Sequence, residues 1–275
     1  SDIDIENANE LALAEFDTMV EQLRAHQIKV NVVQDTKDPS TPDAIFPNNW
    51  VSTHPNGTLC LYPMFAENRR AERKSTVINF LHSNYKIQDV LDLTELEKEG
   101  TFLEGTGSMV LDHQNKIAYG CLSERLDKAA FTNWCHKMQF KPITFKAVDD
   151  KAQPIYHTNV MMCVGNQFVV ICLESIPNEL EKQILLECFL QTNKEVITIS
   201  QDQLNHFAGN MLQVFDINEK PHLIMSEQAY NSLKPEQVKN LEKYNPILPI
   251  SIPTIEALGG GSTRCMMAEI YLSPA

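Results

Sequence analysis

Apolar residues fall along this chain in two rhythms, one suited to helices and one to paired strands. Across residues 5–27 the positions Leu11, Leu13, Phe16, Met19, Val20 and Leu23 share one broad helical face, and residues 29–33 then read as a strand. A polar, proline-punctuated stretch at 42–49 leads into a strand run at 50–53, an Asn56-Gly57 turn and a second run at 58–62. An Asn-Gly pair between two such runs is a strong hairpin signal.

The same unit returns. Gly107-Ser108 opens runs at 109–111 and 117–122 around a turn at 113–116. His157-Thr158-Asn159 opens runs at 160–164 and 168–173, and Gly209-Asn210 opens runs at 211–215 and 222–225. A fifth copy starts at Cys265. Between the hairpins lie helical stretches at 70–83, 124–138, 178–191 and 234–244, most followed by a short strand such as 143–147 or 196–199. A helix, strand and hairpin recurring about every 50 to 60 residues predicts an α/β chain of five similar modules in a ring, as one domain over residues 1–275. The plainer alternative is an α/β protein whose hairpins merely alternate with helices.

Composition narrows the class. With 275 residues, 43% of them hydrophobic, the chain can bury a substantial core. The 23 Lys and Arg against 36 Asp and Glu leave a formal charge of -13, which argues against a nucleic-acid or anionic-membrane surface and leaves room for a small ligand held by local basic residues. The seven cysteines are odd in number and scattered without metal or redox spacing, so a reducing compartment is expected. With no leader-like start and no apolar stretch long enough to span a bilayer, the cytoplasm is the default location. A homo-oligomer stays open.

The chemistry is expected at Gly259-Gly260-Gly261-Ser262-Thr263-Arg264-Cys265-Met266, where a glycine-rich polar turn delivers a thiol to the start of an apolar run. If the modules surround an axis, equivalent hairpin entrances bring together Asn49, Ser108 with Glu104, His157 with Asn159, Asn210 and Cys265. A thiol to attack carbon, an imidazole to move protons, and a carboxylate with amides to hold a planar nitrogen-rich centre suit acyl- or amidino-type displacement. Taken singly, Cys265 reads equally well as an ordinary buried cysteine, His157 as structural and Glu104 as solvated.

These residues resemble the guanidino-group-modifying (pentein) superfamily of arginine deiminases, agmatine deiminases, dimethylarginine hydrolases and amidinotransferases. Within it the chain is most similar to the citrulline-utilisation hydrolase and arginine-deiminase-related branch. The likeness is carried by Pro42-Asp43-Ala44-Ile45-Phe46-Pro47-Asn48-Asn49-Trp50, Leu103-Glu104-Gly105-Thr106-Gly107-Ser108, Tyr156-His157-Thr158-Asn159, Gly209-Asn210-Met211-Leu212 and the Cys265 segment, which together span nearly the whole chain. The resemblance implies a five-bladed αβ propeller without metal or organic cofactor. Cys265 then matches the nucleophile, His157 the general acid/base and Glu104 the carboxylate beside them. Asn49 and Asn159 fall where relatives use guanidinium-binding aspartates. Arg125 matches an arginine that holds the substrate carboxylate, and Arg69 or Arg70 lies in a second carboxylate-binding segment. Asn210 joins the substrate-binding set through its place in the repeat. The chain departs from the family in having Gly-Thr-Gly-Ser after Glu104 in place of Gly-Gly-Asp, and in the two amides.

The resulting expectation is a cysteine-dependent hydrolase of a citrulline- or arginine-type amino acid. The amides, which carry donors and acceptors but no charge, favour a neutral ureido group over a guanidinium. The alternatives are an arginine or methylarginine deiminase, an amidinotransferase, and a propeller that only binds. The glycine-rich loop lacks the Gly-Lys-Ser/Thr of a phosphate cradle.

Overall fold

The computed structural model describes residues 7–275. Helix α1 (Ala8–Ala25) opens the described chain. The first module comprises the hairpin β1 (Val51–Thr53) and β2 (Thr58–Leu61), helices α2 (Glu67–Arg70) and α3 (Ser75–Asn84), and β3 (Asp89–Asp92). The second follows α4 (Gly105–Ser108) with β4 (Met109–Asp112), β5 (Ile117–Cys121), α5 (Lys128–Met138) and β6 (Lys141–Phe145). The third follows α6 (Thr158–Met161) with β7 (Met162–Val164), β8 (Phe168–Ile171), α7 (Glu179–Gln191) and β9 (Glu195–Thr198). After α8 (Gln201–Asn205), the fourth contains β10 (Leu212–Phe215), β11 (Pro221–Ser226), α9 (Glu227–Ser232), α10 (Pro235–Glu242) and β12 (Ile247–Ile250), and α11 (Pro253–Gly259) comes last.

Among the described residues all four sheets have three strands and one topology. The second strand is central, antiparallel to the first and parallel to the third. A tight turn suffices for the antiparallel pair, whereas a parallel neighbour needs a crossover of about a dozen residues or more, which the helix supplies. The central strands β2, β5 and β8 are buried along their whole length, as suits runs in which Thr58 is the one polar side chain.

Two compact units divide the chain. One comprises Val32–Asn159, Ile176–Lys182 and Cys265–Ala275, and holds the first two sheets. Its core has one cluster with Trp50, Leu59, Met64, Leu81, Tyr85 and Leu272, and another with Tyr62, Leu103, Met109, Phe131, Trp134 and Phe140. Leu272, with Ala268 and Ile270 packed beside it, anchors the segment that follows Cys265. The other unit comprises Ser1–Asn31, Val160–Ser175 and Gln183–Arg264, and holds the remaining two sheets. There the Glu15 carboxylate accepts the N–H groups of Thr254 (2.9 Å) and Ile255 (3.0 Å) at the start of α11, where unpaired amides and the helix dipole favour an anion. Among the described residues no helix is long and apolar enough to cross a membrane.

Several expectations need correction. The predicted first helix runs from Ala8 to Ala25, and Ile5 and Glu6 lie outside the described residues. Residues 29–33 form no strand: the Val30 carbonyl is taken by the Arg24 side chain at 3.0 Å, and Val32 is 42% exposed. The helix expected at 70–83 is two helices separated by Ala71 to Lys74, with the buried Glu72 in the break. Among the described residues there are four hairpins, not five. The fifth copy forms no ladder, because the segment after Cys265 bonds to the first module instead. Thr53 Oγ1 donates to the Glu269 carbonyl (3.0 Å) and accepts the Tyr271 N–H (2.8 Å), while the Ser273 carbonyl accepts the Lys86 N–H (2.9 Å).

Candidate active site

Glu104 immediately precedes α4, where the backbone makes an abrupt turn. Gly105 has φ +43°, and a Cβ there would collide with the Asn48 carbonyl, so glycine allows α4 to pack on the 3-10 turn Pro47–Asn49. At Gly107 a Cβ would collide with Asn49 Oδ1 and would lie 3.1 Å from His157 Cε1. The absent side chain leaves room for the Asn49 amide and the His157 ring to approach the same backbone. Asn49 is buried, and its Oδ1 makes no hydrogen bond to the described residues.

Three segments converge on the fully buried Glu104 side chain. Its Oε1 accepts the Phe65 N–H at 2.9 Å, and its Oε2 accepts from His157 Nε2 at 2.6 Å and from Arg125 Nη1 at 3.3 Å. The Glu104 N–H donates to the Arg125 carbonyl at 3.1 Å, and Leu103 bridges Leu126, so the turn 123–126 is fastened beside α4. Thr158 fixes the other side: its hydroxyl donates to the Ser108 carbonyl (2.5 Å) and accepts the Cys121 N–H (2.7 Å), pinning the start of α6 next to His157. Two residues past the histidine, Asn159 Nδ2 donates to Cys265 Sγ at 3.4 Å, and Cys265 is 6% exposed.

The electrostatics follow from burial and neighbours. Burial alone would raise the Glu104 carboxyl, but its bonds to His157 and Phe65 and the charges of His157 and Arg125 outweigh that and hold it at about 2. Burial lowers His157 below the ordinary histidine value of 6.5, against the upward pull of Glu104, and the charges of Arg125 and Arg69 add to the lowering. An ionised Glu104 only accepts, so Nε2 of a neutral His157 carries the hydrogen and Nδ1 is left as the acceptor. All seven cysteines are buried and none is in a disulfide. Burial pushes Cys60 up to about 11 and Cys121, Cys135 and Cys163 up to about 12.

The structure therefore brings Cys265, Asn159, His157, Glu104, Arg125 and Asn49 into the same compact unit. It separates the two neighbouring arginines. Arg69 is buried and committed, with Nε and Nη2 on the Glu72 carboxylate (2.7 and 2.9 Å) and Nη2 also on the Phe46 carbonyl (3.2 Å). Arg70 is more exposed, donating to the Met64 carbonyl (3.1 Å) and lying 5.9 Å from the centre of the Phe102 ring. Asn210 holds main chain: its Oδ1 accepts the N–H of Arg264, the residue before Cys265, at 3.1 Å. Sequence reasoning missed Thr158 and the Phe65 N–H. The His-Thr-Asn spacing held a signal for Thr158, whereas a backbone donor leaves none. Among the described residues no group of three or more His, Cys, Asp and Glu is arranged to hold a metal ion.

Comparison with known proteins gives a family and a fold. The family model described as N,N dimethylarginine dimethylhydrolase, eukaryotic, matches residues 1–272. No curated protein matches by sequence. Among solved structures, the apo form of ArgZ, an arginine dihydrolase from the ornithine-ammonia cycle in cyanobacteria, superposes with a TM-score of 0.74 at 13% identity over 95% of this chain. The present chain spans only 37% of that protein's length. A variant of the N-terminal domain of ArgZ, covalently bound to a reaction intermediate, gives 0.73 at 14% identity over 96% of this chain and 89% of that domain. A dimethylarginine dimethylaminohydrolase carrying an adduct with 4-chloro-2-hydroxymethylpyridine gives 0.66 at 12% identity, covering 93% of this chain and 89% of that one. At such identities the structural likeness speaks for the fold, a mixed α/β architecture built from three-stranded sheets. With a family model matched over nearly its whole length, the chain belongs to the N,N dimethylarginine dimethylhydrolase family, within the guanidino-group-modifying superfamily that its motifs resemble.

Proposed function

We propose that this protein hydrolyses a carbon–nitrogen bond in the ureido or guanidino group of a citrulline- or arginine-type amino acid through a covalent intermediate on Cys265, and that it prefers the neutral ureido group. The observation that carries the reading is the chain of contacts from Cys265 Sγ to Asn159, with His157, Glu104 and Arg125 linked in the same unit. The family match, and an ArgZ structure holding a covalent reaction intermediate, support the reaction class.

His157 enters the cycle neutral and takes the Cys265 thiol proton, becoming an imidazolium held by Glu104. The thiolate adds to the substrate's central carbon, forming the carbon–sulfur bond. The imidazolium gives its proton to the departing nitrogen as the carbon–nitrogen bond breaks. Neutral again, His157 removes a proton from the water that attacks the thioester-like or thiouronium carbon. The carbon–sulfur bond then breaks, and the imidazolium's proton returns to the sulfur. Asn159 Nδ2 donates to that sulfur wherever it carries negative charge.

Substrate charge is the discriminating test. A guanidinium among amides forgoes the charge-assisted part of each hydrogen bond, roughly 1 kcal/mol or more per contact, whereas a ureido oxygen accepts from an amide N–H that an ionised aspartate cannot offer. The value of kcat/KM for citrulline should therefore exceed that for arginine by roughly tenfold or more if both amides contact the group. The Asn49→Asp, Asn159→Asp double variant should move the ratio toward arginine. A second reading, a methylated guanidino substrate, is favoured by the family match, so dimethylarginine belongs in the same assay. Higher kcat/KM for either guanidino compound than for citrulline would overturn the ureido preference.

A further inference from the structure

Glu104 offers a single oxygen, Oε2, to two cationic groups: His157 Nε2 at 2.6 Å and Arg125 Nη1 at 3.3 Å. The Arg125 guanidinium lies 5.6 Å from the centre of the Phe65 ring and 5.3 Å from that of Tyr156, and the Tyr156 ring is 4.8 Å from the His157 ring. Arg125 thus sits at the rim of the buried Glu104–His157 pair: its side chain is 28% exposed, against 0% for Glu104 and 4% for His157. The other charge acting on His157 is Arg69, which is buried and answered by Glu72 at 2.7 Å. The uncharged neighbours are Tyr156 on one side and Asn49 with Gly107 at Cε1. Among these described groups, Arg125 is the cation that an ion from solution can reach.

We propose that Arg125 is a positioning residue that couples a carboxylate on the bound substrate to His157: the incoming anion draws the guanidinium away from Glu104 Oε2, and the freed oxygen serves the imidazole alone. Two effects then act in the same direction. The carboxylate cancels a positive charge that disfavours the imidazolium, and Glu104 becomes a better acceptor for His157 Nε2–H. His157 binds a proton more tightly at the step in which it must take one from Cys265, so the base is strengthened when a carboxylate-bearing substrate is in place. The depression of His157, to which the Arg125 charge contributes after burial, is the resting side of this coupling. The consequence for turnover rests on the hydrolase reading, whereas the coupling itself does not.

Histidine labelled with carbon-13 at Cε1 reports the protonation of His157 directly, with a His157→Gln protein to assign its signal among the eight histidines. L-Norvaline supplies the carboxylate and ammonium without a reacting group, and n-butylamine supplies the ammonium alone. Saturating norvaline should raise the His157 pKa by about one unit, the lower end of what a charge 4–6 Å away produces, and n-butylamine should leave it in place. Arg125→Gln should start at the raised value and no longer respond, and Arg125→Lys, which keeps the charge, should start low. A His157 pKa unmoved by norvaline, moved equally by n-butylamine, or still responsive in Arg125→Gln would overturn the coupling. Product assays with citrulline and arginine on the same protein preparations, free of norvaline and n-butylamine, separate the two ideas: turnover without the shift removes only the coupling, and the shift without turnover removes only the hydrolase reading.

Discussion

Replacing Cys265 by alanine should abolish turnover, with a loss of at least about 10⁴-fold, while the protein stays folded. The expectation rests on the contrast among seven buried cysteines. Burial is the main cause that pushes Cys121, Cys135 and Cys163 up to about 12, which makes them unreactive. Geometry singles out Cys265: an amide N–H is directed at its sulfur, in a unit that also holds the buried imidazole–carboxylate pair. Alanine removes one sulfur from a small side chain, so the cost in stability should be about 1 kcal/mol, and an unchanged circular dichroism spectrum would confirm the fold. Alanine at Cys121 or Cys163 should likewise lower stability but spare the rate. Activity surviving in Cys265→Ala, or lost only with Cys121 or Cys163, would place the chemistry elsewhere.

Glu104→Gln should lower kcat by roughly 10²- to 10⁴-fold, the usual worth of a positioned acid–base group. Glutamine keeps the shape and one acceptor oxygen but removes the charge that stabilises the His157 imidazolium and holds Arg125. The pH dependence gives this prediction a sign. Turnover needs a neutral His157 to accept the thiol proton, so kcat/KM for the parent should fall as the pH drops through a pKa below the ordinary 6.5. Without Glu104 to raise it, that limb should move to still lower pH. Stability carries a separate mark: the Glu104 carboxyl is depressed from 4.5 to about 2, so its contribution is complete above pH 4.5 and is lost as the pH falls toward 2. The glutamine variant should lack that acid-dependent component. A rate within a few-fold of the parent, with an unmoved acid limb, would make Glu104 structural.

The hairpins were legible wherever two apolar runs flanked a turn, because alternation and turn chemistry are local properties. All four observed hairpins were found this way. Residues 29–33 misled for the opposite reason: a strand needs a partner, and here the Arg24 side chain takes the Val30 carbonyl instead. The C-terminal segment has strand-like composition, but the Thr53 side chain and the chain near Lys86 bind its backbone, a choice made by tertiary contacts. The helix expected from residue 124 starts at Lys128, after Asp127 caps it by accepting the Ala130 N–H at 2.8 Å. The residues this frees from the helix form the turn that carries Arg125 to Glu104. At the candidate site, equivalent positions in the repeat propose Asn49, Ser108 with Glu104, His157 with Asn159, Asn210 and Cys265 from sequence alone; of these Asn210 bonds main chain beside Cys265. The roles of Arg69 and Arg70 were not separable from their motif alone, although Glu72 three residues after Arg69 is the spacing of a helical ion pair.

The central claim is that the reaction passes through a bond between Cys265 and the substrate's central carbon. The most direct measurement mixes the protein with citrulline, quenches in acid after milliseconds to seconds, and locates the added mass by peptide mapping. An increment carrying the substrate's central carbon should appear on the peptide containing Cys265 and rise and decay as product forms, carbamoyl-sized where the ornithine amine departs first and larger by the amino-acid tail where ammonia does. An increment on another cysteine, or product accumulating while Cys265 stays unmodified at every time point, would contradict it.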